Sequence, residues 1–204
     1  MSKFTVISYY TINTPYEKIF YNYLAPSLEK FKLQFYVKEI TSLGSWYKNT
    51  AYKAKFILES LEKLNTNVVY IDVDAKILKY PKLFEEIPEE YDLALHHLSW
   101  RLFYGYKNSK EEELLTGTIF ARPNNKVKEI CQLWYEEAIK TNEWEQKVLA
   151  RILEKREDIK IFELPIEYCM PYSRPRNQPL LIDDSKAVIK HFQKSRDYKR
   201  IIMR

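Results

Sequence analysis

The chain has 204 residues, a mass of 24.7 kDa, 46% hydrophobic and 30% charged side chains and no long apolar run, which excludes a disordered or membrane-spanning chain and points to one globular domain. Its net charge of +5 is lodged at one end: residues 173–204 hold nine Lys and Arg against three Asp, or +6, which leaves −1 for everything before and excludes a basic surface spread over the whole chain. With only three glycines, Gly44, Gly105 and Gly117, neither a Walker A loop nor a G-x-G-x-x-G turn can exist, so the phosphates of any bound nucleotide fall to a metal ion and to Lys or Arg side chains.

In chain order the elements alternate. Residues 4–10 (FTVISYY) read as a buried strand, followed by a helix opening at Thr14-Pro15 with Phe20, Leu24, Leu28 and Phe31 at helical spacing. A second strand, LQFYVKEI, leads to Gly44 and a longer helix with Ala51, Ala54, Ile57, Leu58, Leu61 and Leu64 on one stripe; residues 67–71 (NVVYI) are the third strand. This β-α-β-α-β order predicts a parallel sheet with helices on its faces and ligands at the carboxyl ends of the strands.

After residue 90 the pattern changes. Residues 92–97 and 114–122 are strand-like and flank a loop rich in aromatic and charged residues, which predicts an antiparallel addition or lid. Asn124 or Asn125 caps a helix bearing Val127, Ile130, Cys131, Trp134 and Tyr135, and a further helix holds Trp144, Val148, Leu149 and Ile152. Short strands are expected at KIFEL and IEYC, then a Pro- and Arg-rich loop, AVIKHF, and a basic tail over residues 183–204. Cys131 and Cys169 fit no metal or redox spacing and read as plain reduced thiols. The start MSKFTVISYYT lacks the marks of a secretory signal, so a cytoplasmic location is the expectation.

The chemistry concentrates in VVYIDVDAKIL, residues 68–78. Asp72 and Asp74 follow the most apolar strand, and in extended chain residues i and i+2 point the same way, so both carboxylates face one spot at the mouth of a central strand. They repel each other unless a cation lies between them, and hard oxygen ligands suit Mg²⁺ or Mn²⁺.

An apolar strand ending in Y-I-D-V-D, then K-I-L and Pro81, Leu83 and Phe84, resembles the Asp-x-Asp glycosyltransferases of the GT-A fold, the nucleotide-diphospho-sugar transferases, and among them glycosyltransferase family 8. Other segments match in order: SYYT with Tyr16 resembles the strand and loop that receive the nucleoside, GSWYKNTAYKAKFI the donor-side helix, and LLTGTIFARPN the strand whose small-Gly element borders the sugar. EWEQKVL resembles the helix start facing the transferred sugar, and VIKHF the late strand whose His is a third metal ligand. The departures are Glu145 where the family often has Asp before Gln, and Phe192-Gln193-Lys194 after His191 in place of a Gly and a Lys-Pro-Trp.

The resemblance implies an α/β, Rossmann-like, mostly parallel sheet flanked by helices in one domain spanning residues 1–204. It further implies glycosyl transfer from a nucleotide-diphosphate-sugar, a UDP-sugar foremost, to a glycan, protein or lipid acceptor, with Mn²⁺ or Mg²⁺ and with retention of configuration favoured over inversion. Residue by residue, it implies metal ligands Asp72, Asp74 and His191. Tyr10, Thr11 and Tyr16 would meet the nucleoside, with Lys53 or Lys55 at the diphosphate, Gly117 beside the sugar, Asp92 on sugar hydroxyls, and Glu145 with Gln146 at the transferred sugar. Lys194 and Arg196, close to His191 in sequence, would add cationic contacts as the tail orders over the diphosphate; failing that, the tail suits an anionic membrane surface. Two rivals differ in class: a metal-dependent nuclease, in which Asp74-Ala75-Lys76 joins Glu59 or Glu62, and a non-catalytic binding module of the same fold. The nuclease reading is disfavoured by the slightly acidic first 172 residues, and no nucleic acid is expected as a partner.

Overall fold

The computed structural model describes residues 3–172 and 183–194. A six-stranded sheet runs in the order β2-β1-β3-β6-β5-β7, from β1 (Thr5–Thr11), β2 (Phe35–Ile40), β3 (Val68–Ile71), β5 (Leu93–Ser99), β6 (Glu112–Ala121) and β7 (Ile161–Glu163). A smaller sheet of β4 (Ala75–Ile77), β9 (Ile189–His191) and β8 (Met170–Pro171) sits beside it. In the large sheet β1 pairs parallel with β2 and β3, and β7 parallel with β5; β6 alone runs against its neighbours β3 and β5. The mostly parallel sheet and the antiparallel addition after residue 90 are both as expected.

Strands β1 and β3 are buried along their whole length, as strands covered on both faces by helices must be. The period of two sorts their side chains between two cores: Val68 and Tyr70 join Phe56, Ile130 and Trp134 on one face, Val69 and Ile71 join Leu24, Leu28, Phe84 and Phe120 on the other.

The helices are α1 (Pro15–Asn22), α2 (Leu24–Lys30), α3 (Trp46–Leu64), α4 (Leu83–Glu86), α5 (Trp100–Tyr104), α6 (Asn125–Thr141) and α7 (Glu145–Leu153). Short polar side chains open three of them: Thr14, Ser45 and Asn124 accept from the backbone N–H of Tyr16, Lys48 and Val127. Asn65 and Asn142 close α3 and α6 in the left-handed region, a role Asn fills in a chain with few glycines.

Three expectations are corrected. The single first helix is two, broken at Tyr23 (φ −119°, ψ −68°), because Pro26 has no N–H to offer the carbonyl of Asn22 and its ring crowds that carbonyl. The strand expected at IEYC is a 3-10 turn at Ile166–Tyr168, entered from Pro165. Residues 183–194 are no tail: after a 3-10 turn at Asp184–Lys186, Ala187 and Ile189 are buried and β9 pairs with both β4 and β8, so cutting after Ile182 would remove a folded strand. The rest of the expected tail lies outside the described residues. Among the described residues no helix is long and apolar enough to cross a membrane.

Candidate active site

The chain leaves β3 and turns at once. The Asp72 N–H bonds the Gly117 carbonyl on β6 at 2.9 Å, and the Ala75 N–H returns to the Asp72 carbonyl at 3.0 Å. Asp72 and Asp74 thus share a side through a turn and not through extended backbone, which corrects the physical reason given for their convergence. The antiparallel register of β4 and β9 sets His191 opposite Ala75, next to both carboxylates. One ligand atom from each of Asp72, Asp74 and His191 lies within 4.8 Å of the others, the one such group of three among the described residues.

Each member of this trio is held. The Asp74 carboxylate accepts from the Lys194 N–H at 2.7 Å, its carbonyl accepts from the Phe192 N–H at 2.9 Å, and Nε2 of His191 lies 2.8 Å from the Thr118 hydroxyl. The imidazole rests on Gly117, where an added Cβ would meet its Cε1 at 2.8 Å, so only glycine leaves room for the ring. Burial, reinforced by the charge of Asp72, pushes Asp74 up to about 7; burial pushes His191 down to about 4 and keeps it in the neutral form that binds metals. Two carboxylates and a neutral imidazole around one point, with Asp74 ill at ease there as a bare anion, are a donor set that fits Mn²⁺ or Mg²⁺.

Behind the trio sits a cation of the protein's own. Lys53, on α3 and only 4% exposed, puts its ammonium 3.2 Å from the Asp72 carboxylate and 2.9 Å from Glu145, and donates to the carbonyl and hydroxyl of Thr116 at 3.1 and 3.2 Å. Burial alone would push this lysine down, but Asp72 and Glu145 outweigh it and hold its pKa above the ordinary value. Glu145, 2% exposed at the start of α7, also accepts from the Thr116 hydroxyl at 2.9 Å, and its second oxygen accepts from the Gln146 N–H at 2.7 Å. The Tyr70 hydroxyl donates to Asp72 at 2.8 Å.

These groups floor a cleft of about 820 Å³. Of the residues singled out in the sequence, Tyr10, Thr11, Tyr16, Lys53, Asp72, Asp74, Gly117, Glu145, Gln146 and His191 all line it. Tyr10 lines it with its hydroxyl bonded to Glu39. Lys194 reaches the site through its backbone N–H, while its ammonium lies 5.9 Å from the Tyr23 ring; Arg196 lies outside the described residues.

Asp92 is a correction. It precedes β5, at the amino ends of the parallel strands and so at the opposite end of the sheet from the cleft. Its oxygens accept from Asn124 Nδ2 at 2.7 Å and from the Lys160 N–H at 2.9 Å, tying the start of α6 to the approach to β7. Lys55 faces Tyr135, with its ammonium 5.5 Å from the ring, and is not a cleft residue. The carboxylate set of the nuclease reading does not assemble: Glu59 pairs with Lys38 at 2.7 Å and with Tyr52 at 3.0 Å, and Lys76 points to solvent from β4. His96 and His97 meet the Leu164 carbonyl and Glu163 and do not line the cleft.

The sequence reading missed Thr116, Thr118, Tyr9, Tyr70 and Trp46. Hydroxyls inside a strand motif look like ordinary strand composition, and only the tertiary structure shows that Thr116 lines the cleft and that Thr118 meets the His191 ring.

A model of the nucleotide-diphospho-sugar transferases matches residues 19–199. Two solved structures share the fold: a glycosyltransferase involved in the glycosylation of the major capsid of PBCV-1, with TM-score 0.67 and 15% identity over 93% of this chain and 92% of that one, and the WbbM bifunctional glycosyltransferase, with TM-score 0.60 and 12% identity over 94% of this chain and 46% of that one. No protein of curated function matches the sequence. The family match spans most of the chain, and with the sheet order and the carboxylate pair at the mouth of β3 it settles the class: this chain belongs to the nucleotide-diphospho-sugar transferases and is a glycosyltransferase of GT-A type.

Proposed function

We propose that the protein transfers a sugar from a UDP-sugar in a reaction that requires Mn²⁺ or Mg²⁺, with Asp72, Asp74 and His191 holding the ion. The observation that carries this is the trio itself: ligands from a turn and from a strand more than a hundred residues away converge at the carboxyl end of the central strand, inside the cleft. A divalent ion there, when bound, supplies the positive charge that a departing diphosphate requires. The protein's own groups do the rest. Tyr10, Thr11 and Tyr16, at the end of β1 and the start of α1, offer aromatic faces and hydroxyls to the nucleoside. Lys53, fully occupied by Asp72, Glu145 and Thr116, acts as a positioning residue that fixes a metal ligand and Glu145 in one frame. Glu145 and Gln146 line the cleft, and in this reading they face the transferred sugar, where a fixed carboxylate stabilises positive charge developing at the anomeric carbon. Retention of configuration belongs to this reading through the resemblance to glycosyltransferase family 8, and an NMR reading of the product's anomeric signal decides it.

The test is turnover across a panel of nucleotide-sugars with Mn²⁺, with Mg²⁺ and with EDTA. UDP release should depend on the ion, and Asp74→Asn should lower it by about 10²-fold or more, the scale of losing a major electrostatic stabiliser. Because Asp74 is 8% exposed and its charge is costly there, the same variant should melt in EDTA at or above the temperature of the parent. Undiminished turnover in EDTA, or in Asp74→Asn, ends this reading.

A further inference from the structure

Donor groups account for only part of the cleft. From Gly117, β6 runs back to Glu112 and so projects past the carboxyl end of β3 by roughly 16 Å at 3.3 Å per residue. Along this projection β5 pairs with it, Leu98 opposite Glu113 and Ser99 opposite Glu112, and the chain crosses between them through α5, which Gly105 (φ 73°) closes, and the loop after it. The crossing is aromatic: Trp100 and Tyr104 stand edge to face at 5.7 Å, and Tyr106 lies 5.9 Å from Tyr104. Trp100 and Tyr104 line the cleft, with Trp144 at the start of α7 as a third aromatic wall and Glu112, Glu113 and Lys147 among them.

Two details separate this wall from ordinary core. Trp144 is 37% exposed, although it lies in the same cleft as the 2% exposed Glu145 next to it. The indole N–H of Trp100 is buried and has no hydrogen-bond partner among the described residues, an unmet donor on a side chain that lines the cleft.

We infer that this wall is the acceptor subsite and that it takes an uncharged sugar; the inference rests on the donor reading above, since an acceptor must approach from beyond the transferred sugar. A pyranose has apolar C–H faces and a rim of hydroxyls. Aromatic faces beside carboxylates match both parts, the rings covering the C–H face while Glu112 accepts from hydroxyls; Glu113 already accepts from Gln146 at 2.8 Å and has a second oxygen to offer. Charge sets the class of sugar. Lys53 is matched by Asp72 and Glu145, which leaves Lys147 against Glu112 and Glu113 on this wall, so a uronic acid or a sugar phosphate would bring like charge to like. Arg101, Lys107 and Lys110 do not line the cleft; they gather on a neighbouring depression that shares only Glu112 with it.

The experiment measures UDP release from the donor that turns over, first with no acceptor and then with p-nitrophenyl glycosides of neutral hexoses, with a p-nitrophenyl glucuronide, and with a serine- and threonine-containing peptide. Neutral glycosides should accelerate release tenfold or more over water, and the glucuronide and peptide should not. Trp100→Ala should raise the KM for the neutral glycoside at least tenfold while the affinity for UDP with Mn²⁺ stays within about twofold. Tyr104→Ala carries the same test should Trp100→Ala fail to fold, and Glu112→Gln with Glu113→Gln should narrow the gap between glucoside and glucuronide. A protein that binds UDP with Mn²⁺ and hydrolyses donor, yet prefers the glucuronide or peptide or keeps its acceptor KM in both aromatic variants, overturns the acceptor assignment alone. A protein that binds no UDP with Mn²⁺ overturns the donor reading, and this inference with it.

Discussion

Lys53 shows how one side chain can be indispensable without contributing net attraction. Taking its ammonium and the Glu145 carboxylate out of water costs several kcal/mol for each ion, and their 2.9 Å contact, with Asp72 and Thr116 around it, roughly offsets that. Removing one partner alone leaves an uncompensated buried charge. Lys53→Met should therefore lower stability by about 3–5 kcal/mol, and adding Glu145→Leu should recover much of it, as urea denaturation of the single and double variants would measure. A double variant no more stable than Lys53→Met would show that the pair is not the unit described here. Gly117 makes the opposite case, a residue whose value is the space it leaves. Its Cβ in Gly117→Ala would lie 2.9 Å from His191 Nδ1, so the ring must leave its place beside the two carboxylates. Affinity for UDP at fixed Mn²⁺ should fall at least tenfold, and overpacking against the buried ring should lower stability by about 1–3 kcal/mol; calorimetric titration and thermal melting measure the two effects.

At the scale of elements, the edge of the large sheet carries a titratable clamp. Strand β7 has only three residues, and Glu163 at its end accepts from the backbone N–H of His97 and from its ring Nδ1, both at 2.7 Å, with Nδ1 of His96 at 3.1 Å. The hydrogen bond donated to Glu163 raises the His97 pKa against the opposing effect of burial, and the nearby Glu112 adds to the rise. Burial would raise Glu163, but the two histidines outweigh it and hold it down at about 2. For the histidine, a folded pKa above the unfolded one means stabilisation that is complete below about pH 6.5 and lost as pH rises through the raised value. For the glutamate, a depressed pKa means stabilisation present above its ordinary range and lost only in strong acid. The clamp is therefore at full strength between about pH 4.5 and 6.5 and weakens towards pH 8. Both side chains are more than a third exposed, so the effect is below about 1 kcal/mol. The melting temperature of the parent should exceed that of His97→Gln at pH 5.5 by more than at pH 8.5, and a gap that does not change with pH would refute the clamp.

For the whole molecule, the proposed function has donor and metal bind a site assembled from both sheets, because Asp72 follows β3 of the large one and His191 belongs to β9 of the small one. A ligand that binds only this folded arrangement stabilises all of it. UDP with Mn²⁺ at about 100 times its Kd adds about 2.7 kcal/mol, which for a domain of this size is roughly 5–10 °C in melting temperature. UDP alone, or Mn²⁺ with Asp74→Asn, should give a much smaller rise in a thermal-shift assay. Equal rises with and without the ion would place the nucleotide somewhere other than beside this trio.

How much of this was legible in the sequence follows the range of the interactions involved. The alternation of apolar strands and amphipathic helices, the caps at Thr14 and Asn124 and the Asp-x-Asp pair at the mouth of a buried strand are local patterns, and periodicity and side-chain chemistry carry them directly. The order of those motifs was enough to indicate the family. Pro26 was equally visible, yet its break in the first helix was hidden by an apolar spacing that continues across it. What only the tertiary structure decided depends on register and on pairs far apart in the chain. Lys53 and Glu145, 92 positions apart, meet because α3 and α7 both pack near Thr116, and nothing local to either residue encodes that. His191 is a neighbour of the carboxylates because β4 and β9 pair with Ala75 opposite it; a slip of one residue would turn its ring to the other face of the sheet. Asp92 has the chemistry of a sugar ligand, but the direction of β5 puts it at the far end of the sheet, where it binds Asn124 and the Lys160 backbone. The chain's chemical groups were readable one by one; which of them share a cleft was settled by the long-range strand pairing that brings them together.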